Sequence, residues 1–74
     1  MKNSVKVERA KKNITQAGLA ELVGVSRQTI NSIELSKYIP STVLALRMSQ
    51  VFGVSVNEIF QLEQEDIIGD HKKE

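Results

Sequence analysis

Between Arg27 and Glu34 the chain sets Arg27, Gln28, Asn31 and Ser32 close together, with Ile30 and Ile33 as the only apolar residues. Amides donate and accept in one plane, a guanidinium donates as a fixed fork, and a hydroxyl does either. The chemistry these side chains support is hydrogen bonding matched to a planar edge, with no bond made or broken. A competing catalytic set is missing from the sequence. There is no Cys, the single His is His71 near the end, and no paired carboxylates or Gly-rich phosphate loop stand at a useful spacing. The run Glu63-Gln64-Glu65-Asp66 reads as a solvated charged stretch, because it lacks the Gly hinge and alternating ligands of a calcium loop. The sequence therefore predicts no enzyme, no metal, no cofactor and no small-molecule ligand.

The elements that must position those residues are short helices. Turn signals fall at Gly24, Ser26, Ser36, Pro40-Ser41, Gly53 and Ser55, with no internal repeat between them. A first helix is expected over about residues 4 to 12, with Val5, Val7 and Ala10 as its apolar positions. Thr15 then caps QAGLAELV, whose apolar face is Leu19, Ala20, Leu22 and Val23. Gly18 inside it is either a packing concession or a weak spot. Gly24 ends this helix, Val25 turns inward and Ser26 caps the next. Pro40-Ser41-Thr42 opens a fourth helix running to Phe52, with Leu44, Ala45, Met48, Val51 and Phe52 spaced for burial. Ser55 and Glu58 match a capping box for a fifth, which buries Val56, Ile59 and Phe60. Beyond it Phe60 and Leu62 alternate as in a strand, and strand or coil stays open from sequence. One domain is expected over residues 1–66, followed by a flexible acidic and basic tail at 67–74 that includes the pair Ile67-Ile68.

With Ile30 and Ile33 inward at about 100° per residue, Gln28 and Leu35 come to lie nearly opposite them. Asn31 and Ser32 then flank that outer ridge, with Arg27 and Thr29 to either side. Glu34 returns toward the buried stripe, where a carboxylate needs a partner, and Arg9 is the candidate. Charge is divided along the chain. Residues 1–47 carry eight Lys/Arg against three Asp/Glu, and residues 48–74 carry two against six. One side of the domain is thus suited to a polyanion and the other is not. A major groove about 12 Å wide admits one helix and presents edges that Gln, Asn and Arg bond bidentately. Double-stranded DNA is the partner that these residue types fit, and the start of the second helix, near Gln16, offers N–H groups to a phosphate.

The stretch TQAGLAELVGVSRQTINSIE, followed by Lys37-Tyr38 and Pro40-Ser41, resembles the helix-turn-helix of the XRE family of lambda-repressor-like DNA-binding domains. The likeness covers about residues 4 to 62. It implies an all-α domain of five helices, with a short C-terminal β-strand at a dimer contact as an option. It also implies a transcriptional regulator, most simply a repressor, that binds a palindromic operator as a homodimer. Carried over residue by residue, Arg27, Gln28, Asn31 and Ser32 read bases. Gln16, Ser26, Thr29, Lys37 and Tyr38 meet phosphates, and Arg9 and Glu34 form a structural ion pair. Ile59, Phe60 and Leu62, in a dimerisation segment at 56–66, make the contact between copies. Two departures from the family pattern stand out. Members commonly have Leu where this chain has Glu8 and an acid where it has Val7, and they read Asn-Gly where it has Leu35-Ser36. The second loses an easy left-handed stop after the recognition helix. It also leaves Leu35 outward, free to meet a thymine methyl or a protein. The alternative function is an antitoxin or adaptor that uses the same fold to hold a protein partner, with Leu35 and Ile67-Ile68 as its apolar features. No apolar run approaches the ~20 residues of a membrane span, which makes a cytoplasmic, nucleoid-associated location in a prokaryote or phage the expectation.

Overall fold

Three helices of this chain begin with the same device, a hydroxyl that accepts the N–H three residues on. Thr15 takes the Gly18 N–H at 2.9 Å, Ser26 that of Thr29 at 3.1 Å and Ser41 that of Leu44 at 3.1 Å. The computed structural model describes residues 1–71, with side chains described as far as Ile67. In chain order the elements are β1 (Lys2–Asn3), α1 (Val5–Lys12), α2 (Gln16–Val23), α3 (Arg27–Glu34), α4 (Thr42–Phe52), α5 (Val56–Ile59), β2 (Phe60–Gln61) and α6 (Gln64–His71). Gly24 and Gly53 stop α2 and α4 at φ of 77° and 70°, where a side chain would be strained. Gly18 is a packing concession. A Cβ there would stand 3.1 Å from the capping Thr15 Oγ1 and 3.4 Å from the Ile14 methyl Cγ2.

The core is a single cluster to which five of the helices and β2 contribute. α2 packs across α3 and α4, α1 lies against α3 and α4, and α5 closes the cluster from below α4. Leu19, Ile30, Met48, Ile59 and Val5 are fully buried. Two expectations about apolar faces are corrected. In α1, Val5 is buried, but Val7 and Ala10 are exposed and Glu8 is 8% exposed, pointing inward. With Val5 in the core and Arg9 turned to Glu34, the phase of the helix is fixed, and Val7 falls about 200° from Val5. In α2, Leu22 is 61% exposed, because the face set by Leu19, Ala20 and Val23 leaves it on the flank.

The strand question resolves within the chain. β2 pairs antiparallel with β1, Lys2 opposite Gln61 and Asn3 opposite Phe60. The strand expected at a contact between copies therefore has an intramolecular partner, and two residues of β1 carry too little pattern to be read beforehand. Ser4 extends the tie, its N–H reaching the Ile59 carbonyl at 2.8 Å and its hydroxyl donating to the Glu58 carbonyl at 3.1 Å. Where the sequence reads a tail from residue 67, the chain is helical through α6, and residues 72–74 of that tail lie outside the described residues. The acidic run has a structural use here. Asp66 accepts the Glu63 N–H at 2.8 Å, and the terminal ammonium of Met1 reaches Glu63 at 2.8 Å and Asp66 at 3.2 Å. Hydrogen bonds to Glu63 and then Asp66 raise the pKa of that amine, and the Glu63 N–H, followed by the amine, lowers that of Asp66.

Leu19 and Leu22 sit three residues apart in one helix with opposite surroundings. Leu19→Ala should cost about 2–5 kcal/mol of unfolding free energy. Leu22→Ala should stay within roughly 0.5 kcal/mol of the unsubstituted protein. Urea denaturation of the two variants checks the assignment, and equal losses would contradict it.

Candidate functional site

α3 is held to the core by Ile30 and Ile33, 0% and 1% exposed, and by nothing apolar on its other faces. Its start is doubly tied, since Ser26 Oγ lies 3.0 Å from Thr29 Oγ1 besides accepting the Thr29 N–H. Its end uses Ser36 in the left-handed region at φ 60° in place of a glycine. The Lys37 N–H returns to the Ser32 carbonyl and the Ser36 N–H to the Ile33 carbonyl, both at 2.9 Å, which is the Schellman pairing. Asn3 adds a brace from β1, its amide nitrogen donating to the Ile33 carbonyl at 2.9 Å. The missing glycine thus leaves the helix stop intact, with the strain carried by Ser36 and offset by these bonds.

Along the outside of α3 run two open depressions. One, of about 350 Å³, is lined by Ser26, Gln28, Thr29, Ser32, Lys37 and Tyr38. The other, of about 300 Å³, is lined by Gln16, Arg27, Gln28 and Asn31. Together they collect every residue that the sequence assigns to bases or phosphates, so the structure brings that set onto the two flanks of a single ridge. Arg27, Gln28 and Asn31 are exposed, and Thr29 and Ser32 are half-buried. Among the described residues neither Arg27 nor Lys37 stands in an ion pair.

Arg9 and Glu34 are also brought together. Arg9 Nε donates to Glu34 Oε2 at 2.6 Å and Nη2 to Oε1 at 3.1 Å, while Nη1 donates to the Ile14 carbonyl at 2.9 Å. Gln16 joins this pair through its amide nitrogen, which donates to Glu34 Oε1 and to Asn31 Oδ1, each at 3.1 Å. Burial alone would raise the Glu34 carboxyl. Hydrogen bonds from Arg9 and Gln16, with the charges of Arg9 and Lys6, outweigh it and hold the carboxyl below the ordinary glutamate range. The same hydrogen bond raises Arg9.

The residues expected between copies separate. Ile59 is fully buried and Phe60 is 8% exposed, both filling the core of the single chain, so of the three only Leu62, 66% exposed, is open to a partner. Two structural residues escaped the sequence reading. Arg47 donates to the Val23 carbonyl at 3.2 Å and so caps the end of α2 at the turn. Its signal was visible, for it is the one charged residue between Tyr38 and Asn57. Asn3 gave no signal, because its role depends on a strand two residues long.

Residues 5–59 match the helix-turn-helix family model. The chain is similar to an uncharacterized HTH-type transcriptional regulator of Methanocaldococcus jannaschii, 48% identical over 89% of this chain and the whole of that protein. It is similar also to YgzD of Bacillus subtilis, named as an uncharacterized HTH-type transcriptional regulator, with 44% identity over 89% of this chain and all of the relative. A third relative with that description, from Archaeoglobus fulgidus, is 42% identical over 90% of this chain and 94% of its own length.

The Glu34 carboxyl gives the pair a pH signature. A folded-state pKa below the unfolded one contributes stability that is complete above the unfolded carboxylate range and is lost as pH falls through the lower, folded value. Glu34→Gln should cost about 1.5–3 kcal/mol at neutral pH. The gap to the unsubstituted protein should narrow below about pH 4. Urea unfolding at a series of pH values reads both, and a gap that widens in acid would refute the assignment.

Proposed function

From the membership of this chain in the XRE-type helix-turn-helix family, whose proteins are DNA-binding transcriptional regulators and not enzymes, we propose that it is a sequence-specific repressor that binds a palindromic operator as a homodimer. The observation that carries the reading is the ridge of α3, anchored by two buried isoleucines and carrying Arg27, Gln28 and Asn31 outward between two polar depressions. A helix so exposed enters a major groove, and its first turns reach the bases. Arg27, Gln28, Asn31 and Ser32 read base edges. Ser26, Thr29, Lys37 and Tyr38 bond phosphates on one side, and the first N–H groups of α2 at Gln16, which have no preceding helical carbonyl, take a phosphate on the other.

The contact between copies is best supplied by a face beside the reading helix. Ile39 and Leu46, 67% and 54% exposed, line a groove of about 310 Å³ together with Met1, Pro40, Val56 and Phe60, and Val43, 57% exposed, lies on the same helix as Leu46. From Tyr38 to Asn57 the chain carries a single charge, Arg47, already bonded to the Val23 carbonyl. Uncharged apolar surface can meet its own copy about a two-fold axis without like charges opposing each other. Tyr38 borders a depression on α3 and Ile39 borders the groove, so the face proposed for pairing adjoins α3. Among the described residues no helix is long and apolar enough to cross a membrane, and a location in the cytoplasm, on the nucleoid when bound, belongs to this proposal.

Selection of bound duplexes from a random library at near-physiological salt should enrich a palindrome with half-sites about one turn apart. Gln28→Ala should then lose about 1–3 kcal/mol on the enriched site and relax one base position. Lys37→Ala should weaken all duplexes alike and lower the salt slope by about one. Leu46→Asn should sediment as a monomer and bind a single half-site as before while losing the palindrome. An unchanged dimer would refute this placement of the interface, and absence of any enriched sequence would turn the search to a protein partner of the antitoxin or adaptor kind.

A further inference from the structure

Glu34 lies in a line of hydrogen bonds whose direction chemistry leaves no freedom to reverse. A guanidinium only donates and a carboxylate only accepts. Arg9 fills both Glu34 oxygens, at 2.6 and 3.1 Å, so the group of Gln16 that meets Oε1 at 3.1 Å must be its amide nitrogen. That nitrogen has one hydrogen left, which goes to Asn31 across 3.1 Å, and only the carbonyl oxygen Oδ1 of Asn31 can receive it. The amide nitrogen of Asn31 is thereby turned away from Gln16. The buried end of the line is firmly held, with Arg9 and Glu34 side chains 15% and 7% exposed and Arg9 braced on the Ile14 carbonyl.

From this polarity we propose that Gln16, oriented by Glu34, fixes which way round Asn31 faces the groove, so that Asn31 reads guanine and not adenine. The proposal rests on the assignment of α3 to base reading. Adenine is bonded bidentately by an amide that accepts from N6 and donates to N7. Gln16 holds the Asn31 carbonyl toward itself, so the two hydrogens of the amide nitrogen are the groups turned away from Gln16. Guanine offers two acceptors, O6 and N7, to which both outward hydrogens of Asn31 can go. Gln16 is a positioning residue in this scheme. Both its amide hydrogens are engaged inside the protein, and its remaining carbonyl oxygen has nothing to accept from an ionised phosphate. The phosphate at the start of α2 is therefore met by main-chain N–H groups alone.

The test is selection from a random duplex library with the unsubstituted protein, Asn31→Ala, Gln16→Met and the double variant. The position that Asn31 reads is the one whose base preference Asn31→Ala flattens. There the unsubstituted protein should favour a G·C pair over an A·T pair by roughly tenfold. Gln16→Met frees Oδ1, so the A·T pair should rise to within about twofold at that position alone, with base preference at the other positions unchanged. Adding Asn31→Ala should abolish the difference, and Gln16→Ala should reproduce the shift without a new thioether. A purely structural Gln16 would lower affinity evenly and leave base preference alone. Adenine at the Asn31 position, or a preference that Gln16→Met does not move, overturns the relay and leaves the DNA reading standing. A library with no enriched sequence, or one that Asn31→Ala leaves unaltered, overturns the assignment of Asn31 to base reading and the relay with it.

Discussion

The bidentate bond between Arg9 and Glu34 is the constraint on which the packing of α1 against α3 and the orientation of Gln16 and Asn31 depend. It fixes α1 against α3 at a point where neither partner is well solvated, and an ion pair of that kind is worth most through what it specifies. Because Arg9 must face Glu34, the rotation of α1 is set, Val7 is driven to solvent and Glu8 is drawn inward. Because Glu34 is held from below, its remaining accepting capacity is aimed at Gln16, and through Gln16 at Asn31. One charged contact thus governs the packing of a helix at one end and the presentation of an amide at the other.

α3 is a helix of eight residues, and so short a segment is not stable alone in water. Its rigidity is borrowed. Two isoleucines hold it to the core, Ser26 and Thr29 tie its first turn, and the Schellman pairing with the Asn3 brace ties its last. Arg47 steadies the preceding turn from α4 by capping the end of α2. With both ends fixed by neighbouring elements, the backbone of α3 is ordered in advance, which lowers the entropic cost of any contact made through it.

The surface divides by chemistry as well as by charge. The flanks of α3 are polar and carry Arg27 and Lys37, which stand in no ion pair among the described residues, whereas the face of Ile39, Pro40 and Leu46 is apolar. The two meet at Tyr38 and Ile39, so a polar face and an apolar face adjoin along one edge of a small domain. Glu63 and Asp66 both close on the terminal ammonium of Met1, and Asp66 also accepts the Glu63 N–H before α6.

The sequence by itself determined the helices and their ends, because capping hydroxyls, stop glycines and apolar spacing act over three or four residues and can be read locally. It also determined the residue types on α3, since the inward isoleucines leave only one arrangement for the rest, and it pointed to Glu34 as a carboxylate in need of Arg9. Tertiary structure decided everything that required two distant segments to meet. It paired residues 2–3 with residues 60–61, a contact with no local pattern, and so withdrew Ile59 and Phe60 into the core of the single chain. It chose between the faces of α1, where Val7 and Glu8 gave opposite signals and only the position of Glu34 could arbitrate. Above all it decided the polarity of Asn31, because which end of an amide faces outward depends on what stands behind it, and that is a residue of another helix.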